Sequence, residues 1–93
     1  MNNVEKRLNL SKEAFNNTEE LVKKFVEEDN RGKTRAEVNK LTDEFTIAFN
    51  GMHMLMSELD QTRAIELLDK YGILKKIKKS VNRIQSNNSL AFT

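Results

Sequence analysis

Apolar residues recur every three or four positions along most of the chain, and this spacing is typical of helices. It prevails throughout over the strict alternation that marks a half-buried strand, and Pro is absent. The pattern therefore predicts an all-α fold, a small helical bundle. We expect a long antiparallel helical hairpin followed by two shorter C-terminal helices.

The first helix is predicted to begin at a cap provided by Asn2 or Asn3 and to run to about Asp29. Its apolar face carries Val4, Leu8, Phe15, Val22 and Val26. The segment 16–18 offers an alternative helix start, where Asn17 is followed by Glu20. Because Leu8, Phe15 and Val22 stay in phase across that segment, a single helix is favoured.

The next helix is predicted from Ala36 to Leu59 and is the most apolar element of the chain. Gly32 is expected to end the preceding helix in a left-handed conformation, and Thr34 with Glu37 forms a capping box. The helix carries a seam whose members are alternately three and four residues apart: Val38, Leu41, Phe45, Ala48, Met52, Leu55 and Leu59. We therefore predict one unbroken helix that forms the inner wall of the bundle.

A short third helix is predicted after Asp60 or Thr62, ending at Gly72. The last helix has a narrow apolar stripe of Leu74, Ile77, Val81 and Ile84. Residues 1–85 should form a single helical-bundle domain. Residues 86–93 show neither helical period nor charge and are predicted to be a flexible C-terminal tail, in which Leu90 and Phe92 form a candidate docking peptide.

The composition limits the protein to one small domain. A chain of 93 residues, 38% hydrophobic and 32% charged, suits one globular unit with a modest core, so we expect self-association into a homo-oligomer. There is no Cys, which excludes disulfides and thiolate chemistry. Neither a secretion signal nor a membrane span is apparent, so a cytoplasmic location is predicted.

The sequence favours a non-enzymatic protein. It has no Gly-rich phosphate loop, no G-x-S-x-G motif and no Cys/His pair. His53 is the only histidine and has no acidic residue three or four positions away, so no metal site is predicted there. We expect neither a cofactor nor a small-molecule substrate, and we interpret the acidic runs as solvated surface.

The side of the second helix opposite the seam carries a candidate partner-binding site. Ile47 and Met54 are two turns apart there, and they are either covered by the C-terminal helices or available to another protein. Gly51 lies between them and costs a helix about 1 kcal/mol relative to Ala. A break at Asn50 and Gly51 would explain it, but we favour close approach of a neighbouring helix. We therefore predict a regulator, adaptor or inhibitor that binds another protein through Ile47, Met54 and Gly51.

The C-terminal helix supports an alternative function, DNA binding. No acidic residue follows Asp69, so residues 1–69 carry a net charge of −4 (ten basic, fourteen acidic) and residues 70–93 carry +6 (six basic, none acidic). The segment 64–85 resembles a helix-turn-helix, a resemblance that implies a nucleic-acid partner. The residues for that role are Lys75, Lys76, Lys79, Asn82 and Arg83. A basic face that is merely solvated remains the other interpretation.

Overall fold

The computed structural model describes residues 3–31 and 34–91, with side chains up to residue 86. This part of the chain forms four helices: α1 (Asn3–Asp29), α2 (Arg35–His53), α3 (Glu58–Lys70) and α4 (Ile73–Ala91). No strand occurs among the described residues. The predicted fold class, a small all-α bundle, is confirmed.

The helices form a ring of neighbours in which each packs mainly against two others. α1 and α2 form the antiparallel hairpin, α3 packs on α1, α4 packs on α2, and α3 contacts α4. The rings of Phe25 and Phe45 lie 5.1 Å apart in the core, which also holds Ala14, Phe15, Val22, Phe49, Met56, Ala64, Leu68 and Ile73. The Cα trace is only 18 Å thick against 46 and 37 Å in the other directions. So thin a bundle leaves several large apolar side chains at the surface.

α1 is a single helix, as predicted, and continues through residues 16–18. Thr18 is fully buried there, and its hydroxyl donates to the carbonyl oxygen of Ala14 at 2.9 Å, which satisfies it within the helix. Of the predicted apolar face, Phe15 and Val22 are buried and Val26 is half-buried, whereas Val4 and Leu8 are exposed. The first two turns of α1 therefore extend beyond the core.

The prediction of one unbroken helix from Ala36 to Leu59 is wrong. The capping box of Thr34 and Glu37 is present, but α2 ends at His53 and the chain turns before α3. Ser57 caps α3, since its hydroxyl accepts a hydrogen bond from the Asp60 N–H. Leu55 and Leu59 leave the predicted seam and become exposed.

The turn between α2 and α3 is held by a side chain from α1. The hydroxyl of Ser11, itself buried, accepts a hydrogen bond from the Ser57 N–H at 2.7 Å and donates one to Asp60 Oδ2 at 2.6 Å. One hydroxyl thus satisfies two groups. One is a buried carboxylate, and the other is an N–H that the helix start would leave without a partner. These bonds favour a new helix start at Ser57 over continuation of the α2 seam.

The glycines behave differently from one another. Gly72 has a φ of 70°, so it takes the left-handed conformation predicted for the end of α3. α2 does not break at Asn50 and Gly51, but a Cβ added at Gly51 would meet nothing within 4 Å. The predicted close approach of a neighbouring helix at Gly51 is therefore wrong within this chain. Gly32 lies outside the described residues, as does Asn2.

The C-terminal segment is helical over most of its length. α4 continues to Ala91 and covers residues 86–91 of the segment predicted as a tail. The side chain of Leu90, and the whole of Phe92, lie outside the described residues. The flexibility of residues 86–93 and their docking role stay predictions.

The two described glycines form a matched pair for stability measurements. We expect Gly51→Ala to raise the free energy of unfolding by about 0.5–1 kcal/mol, because an added methyl group has open space and lowers the entropy of the unfolded chain. Gly72→Ala should lower it by about 1–2 kcal/mol, because Ala is strained at positive φ. Urea unfolding of both variants tests this, and a loss of stability in Gly51→Ala would contradict the open space at that position.

Candidate functional site

An open groove of about 460 Å³ lies between α2, α3 and α4. Most of its lining is apolar, with Leu74, Ile77, Val81 and Ile84 from α4, Ile65 and Leu68 from α3, and Ile47 and Phe49 from α2. The four α4 residues are three, four and three positions apart and therefore share one face of the helix. The predicted stripe of the last helix is thus the wall of this groove.

The groove has a buried floor and an exposed rim. Phe49 and Leu68 are buried at its base, whereas 64% of Ile47 and 38% of Ile65 are exposed. Both residues of the floor belong to the hydrophobic core. Isolated apolar side chains at a surface are ordinary, but a groove rimmed by two isoleucines is the kind of surface that partners cover.

The structure separates the three predicted partner-binding residues. Ile47 lies on the groove rim, whereas Met54, which is 75% exposed, lies in the turn after α2 and does not line the groove. Gly51 is exposed on α2 between them. The alternative in which the C-terminal helices cover Ile47 and Met54 does not hold. Their role in binding stays a prediction.

Two of the predicted nucleic-acid contacts form ion pairs with other helices. Lys76 Nζ lies 2.7 Å from Asp29 Oδ2 of α1, and Arg83 Nη2 lies 2.6 Å from Asp43 Oδ1 of α2. The other three, Lys75, Lys79 and Asn82, are exposed on α4. DNA binding by the 64–85 segment stays a prediction, with fewer available contacts than the sequence suggested.

Asp43 anchors α4 to α2 beside the groove. Partial burial by itself would raise the pKa of its carboxyl group, but hydrogen bonds from Arg83 and Ser80 and the charge of Arg83 outweigh that effect and lower the pKa. The Ser80 hydroxyl, which is fully buried, donates to Asp43 Oδ1 at 2.6 Å. The carboxylate therefore stays ionised at neutral pH and keeps α4 in register with α2.

Two further polar residues, His53 in the groove lining and Asp60 outside it, make structural contacts. The His53 ring lies 5.3 Å from the Phe49 ring. Hydrogen bonding from Ser11 is the largest influence on Asp60 and lowers its pKa, helped by Arg63 and Ser57 against a smaller opposing effect of desolvation. Within residues 3–31 and 34–91, no group of three or more His, Cys, Asp or Glu side chains is arranged to hold a metal ion.

Sequence reasoning identified Ile47 but missed the groove around it. The narrow apolar stripe of α4 is a signal in the sequence, but the groove also depends on how α4 is placed against α2 and α3. The spacing of Leu55 and Leu59 continues the α2 seam and therefore predicts a helix where the structure has a turn and the start of α3.

Comparison with known proteins found no matching family model, no matching curated protein and no matching solved structure. Among the helices of the described chain, none combines the length and the apolar character needed to cross a membrane.

The Asp43 contact predicts a specific acid dependence. Because its pKa is lowered on folding, its contribution to stability is present above the unfolded value of about 3.9 and is lost as pH falls through the lower folded value. Asp43→Asn should cost about 1 kcal/mol at neutral pH, since the site is partly exposed. That difference from the native chain should shrink below about pH 4.

Thermal or urea unfolding between neutral pH and about pH 3 measures this difference. Glu44→Gln is the matched control, because it removes a neighbouring exposed carboxylate of the same helix, and its effect should stay small. A difference for Asp43→Asn that does not change with pH would contradict the assignment.

Proposed function

We propose that the protein is a non-enzymatic regulator, adaptor or inhibitor that binds an amphipathic helix of another protein. The bound helix lies in the groove between α2, α3 and α4 and carries acidic residues beside its apolar stripe. The observation that supports this most is the open apolar groove with Ile47 exposed at its rim. Grooves of this kind bind helices through anchors at positions i, i+3 or i+4, and i+7.

The dimensions of the groove fit a short helical segment. The α4 residues that line it extend from Leu74 to Gln85, about 17 Å at the helical rise of 1.5 Å per residue, or about three turns. Three turns present two or three apolar anchors on one face. A volume of about 460 Å³ is sufficient for such side chains.

The charge beside the groove favours an acidic partner. Lys78 is four residues after Leu74 and three before Val81, so it lies next to the lining face of α4, and it is exposed. Lys75 and Lys79 are exposed further round the helix, and no acidic residue occurs in α4. A second copy seated here through its own α4 would bring like charges together. Carboxylates on a partner helix would instead speed its encounter and fix its orientation.

Met54 and Gly51 extend the proposed site beyond the groove. Met54 follows His53, whose side chain lines the groove, so a helix longer than three turns reaches it across the end of α2. The flexible thioether of Met adapts to different partners. The open space above Gly51 lets a partner backbone approach α2 there.

Selection from a displayed library of three-turn amphipathic helices tests the proposal. The library keeps an apolar stripe and varies the flanking positions among Asp, Glu, Lys, Arg and Ser. We expect selected peptides to be enriched in Asp and Glu. Ile47→Glu should weaken the affinity of the best peptide by at least about tenfold, because a carboxylate replaces an apolar rim contact and repels the acidic flanks.

Leu59→Glu is the matched control, because Leu59 is 70% exposed but lies outside the groove, and it should leave the affinity unchanged. Met54→Glu should have an effect between these two. Selection of basic helices, or equal affinity for the native chain and Ile47→Glu, would contradict the proposal.

A further inference from the structure

We infer a second interaction surface, which binds a second copy of this chain. It lies where the N-terminal turns of α1 meet the start of α3, and we call Val4, Leu8 and Leu59 the end surface. The three side chains are 65%, 54% and 70% exposed. This surface is separate from the groove of the proposed function and does not depend on it.

The end surface continues the buried stripe of α1. Val4 is seven residues before Ser11, and Leu8 is seven residues before Phe15. Residues two turns apart on a helix point in nearly the same direction, and Ser11 and Phe15 are 2% and 8% exposed. Val4 and Leu8 therefore lie in the core stripe, beyond the point where α3 covers it. None of the residues that the structure describes covers this part of the apolar face.

Two residues of the end surface line a groove that is joined to the core. Leu8 and Leu59 line one groove of about 480 Å³ together with Lys12 and Arg63. The Arg63 guanidinium lies 4.3 Å from the centre of the buried Phe15 ring. An apolar side chain that enters this groove would extend the existing core.

The charged residues around this groove favour a second copy of the chain over a partner whose charges all have the same sign. The groove is lined by side chains of both signs: Asp60 and Arg63 form an ion pair at 3.1 Å, and Glu5 and Lys12 are the other two charged residues of the lining. Most homo-oligomers use a twofold axis, which brings the same patch of two copies together, so a patch with both signs avoids like-charge repulsion. α4, whose charged residues are all basic, lacks this property. The N-terminal turns of α1 from two copies can pack antiparallel, each placing Val4 and Leu8 against the other copy.

Sedimentation equilibrium over a range of concentrations tests the assignment. We expect the native chain to reach the mass of two chains and Leu8→Glu/Leu59→Glu to keep the mass of one at the same concentrations. Both side chains are mostly exposed, so helix content by circular dichroism should be retained. Ile47→Glu is the matched control and should dimerise like the native chain, which separates this surface from the groove.

Hydrogen exchange of the native chain provides a second test that needs no substitution. Protection of the amides of residues 3–12 should rise with protein concentration, whereas protection in the segment 74–85 should not. A native chain that stays at the mass of one, a double variant that dimerises normally, or concentration-dependent protection confined to 74–85 would each overturn the inference. If the double variant unfolds, the exchange measurement on the native chain decides.

Discussion

One buried hydroxyl links α1 to the turn in which α2 ends and α3 begins. Ser11 of α1 accepts the Ser57 N–H and donates to Asp60, and by doing so fixes where α3 begins. Without that anchor, the apolar spacing of α2 favours continuation of the helix through Leu55 and Leu59. With it, the chain turns after His53, α3 packs back on α1, and α4 is carried onto α2. The cost of a buried polar cluster is offset because each of its groups has a partner.

The early turn determines which apolar surfaces remain open. A continuous second helix would place Leu55 and Leu59 on its seam, whereas the turn leaves both outside the core. It also limits the length of α1 that α3 can cover, so Val4 and Leu8 stay exposed. On the opposite side, α4 reaches α2 through Asp43 but leaves a groove beside Ile47. The groove and the end surface thus follow from the same change of direction.

The features that could be predicted from the sequence are those that depend on residues close together in the chain. The helical period, the capping box of Thr34 and Glu37, the left-handed Gly72 and the single α1 all depend on residues a few positions apart, and the structure contains each of them. The end of α2 could not be predicted this way, because the residue that decides it is 46 positions from Ser57. Ser57 with Asp60 does resemble a helix start, but the seam was the stronger pattern. Ile47 was found because its exposure follows from one helix, whereas the groove required the placement of α4.

Backbone ¹³C chemical shifts, measured together with amide exchange, test this account most directly. It predicts helical shifts over residues 35–53 and 58–70, a non-helical shift at Ser57, whose backbone is extended with a ψ of 163°, and slow exchange of the Ser57 amide, whose N–H donates a hydrogen bond to the Ser11 hydroxyl. In Ser11→Ala that amide should exchange faster. Uninterrupted helical shifts from Arg35 to Lys70 would contradict the account.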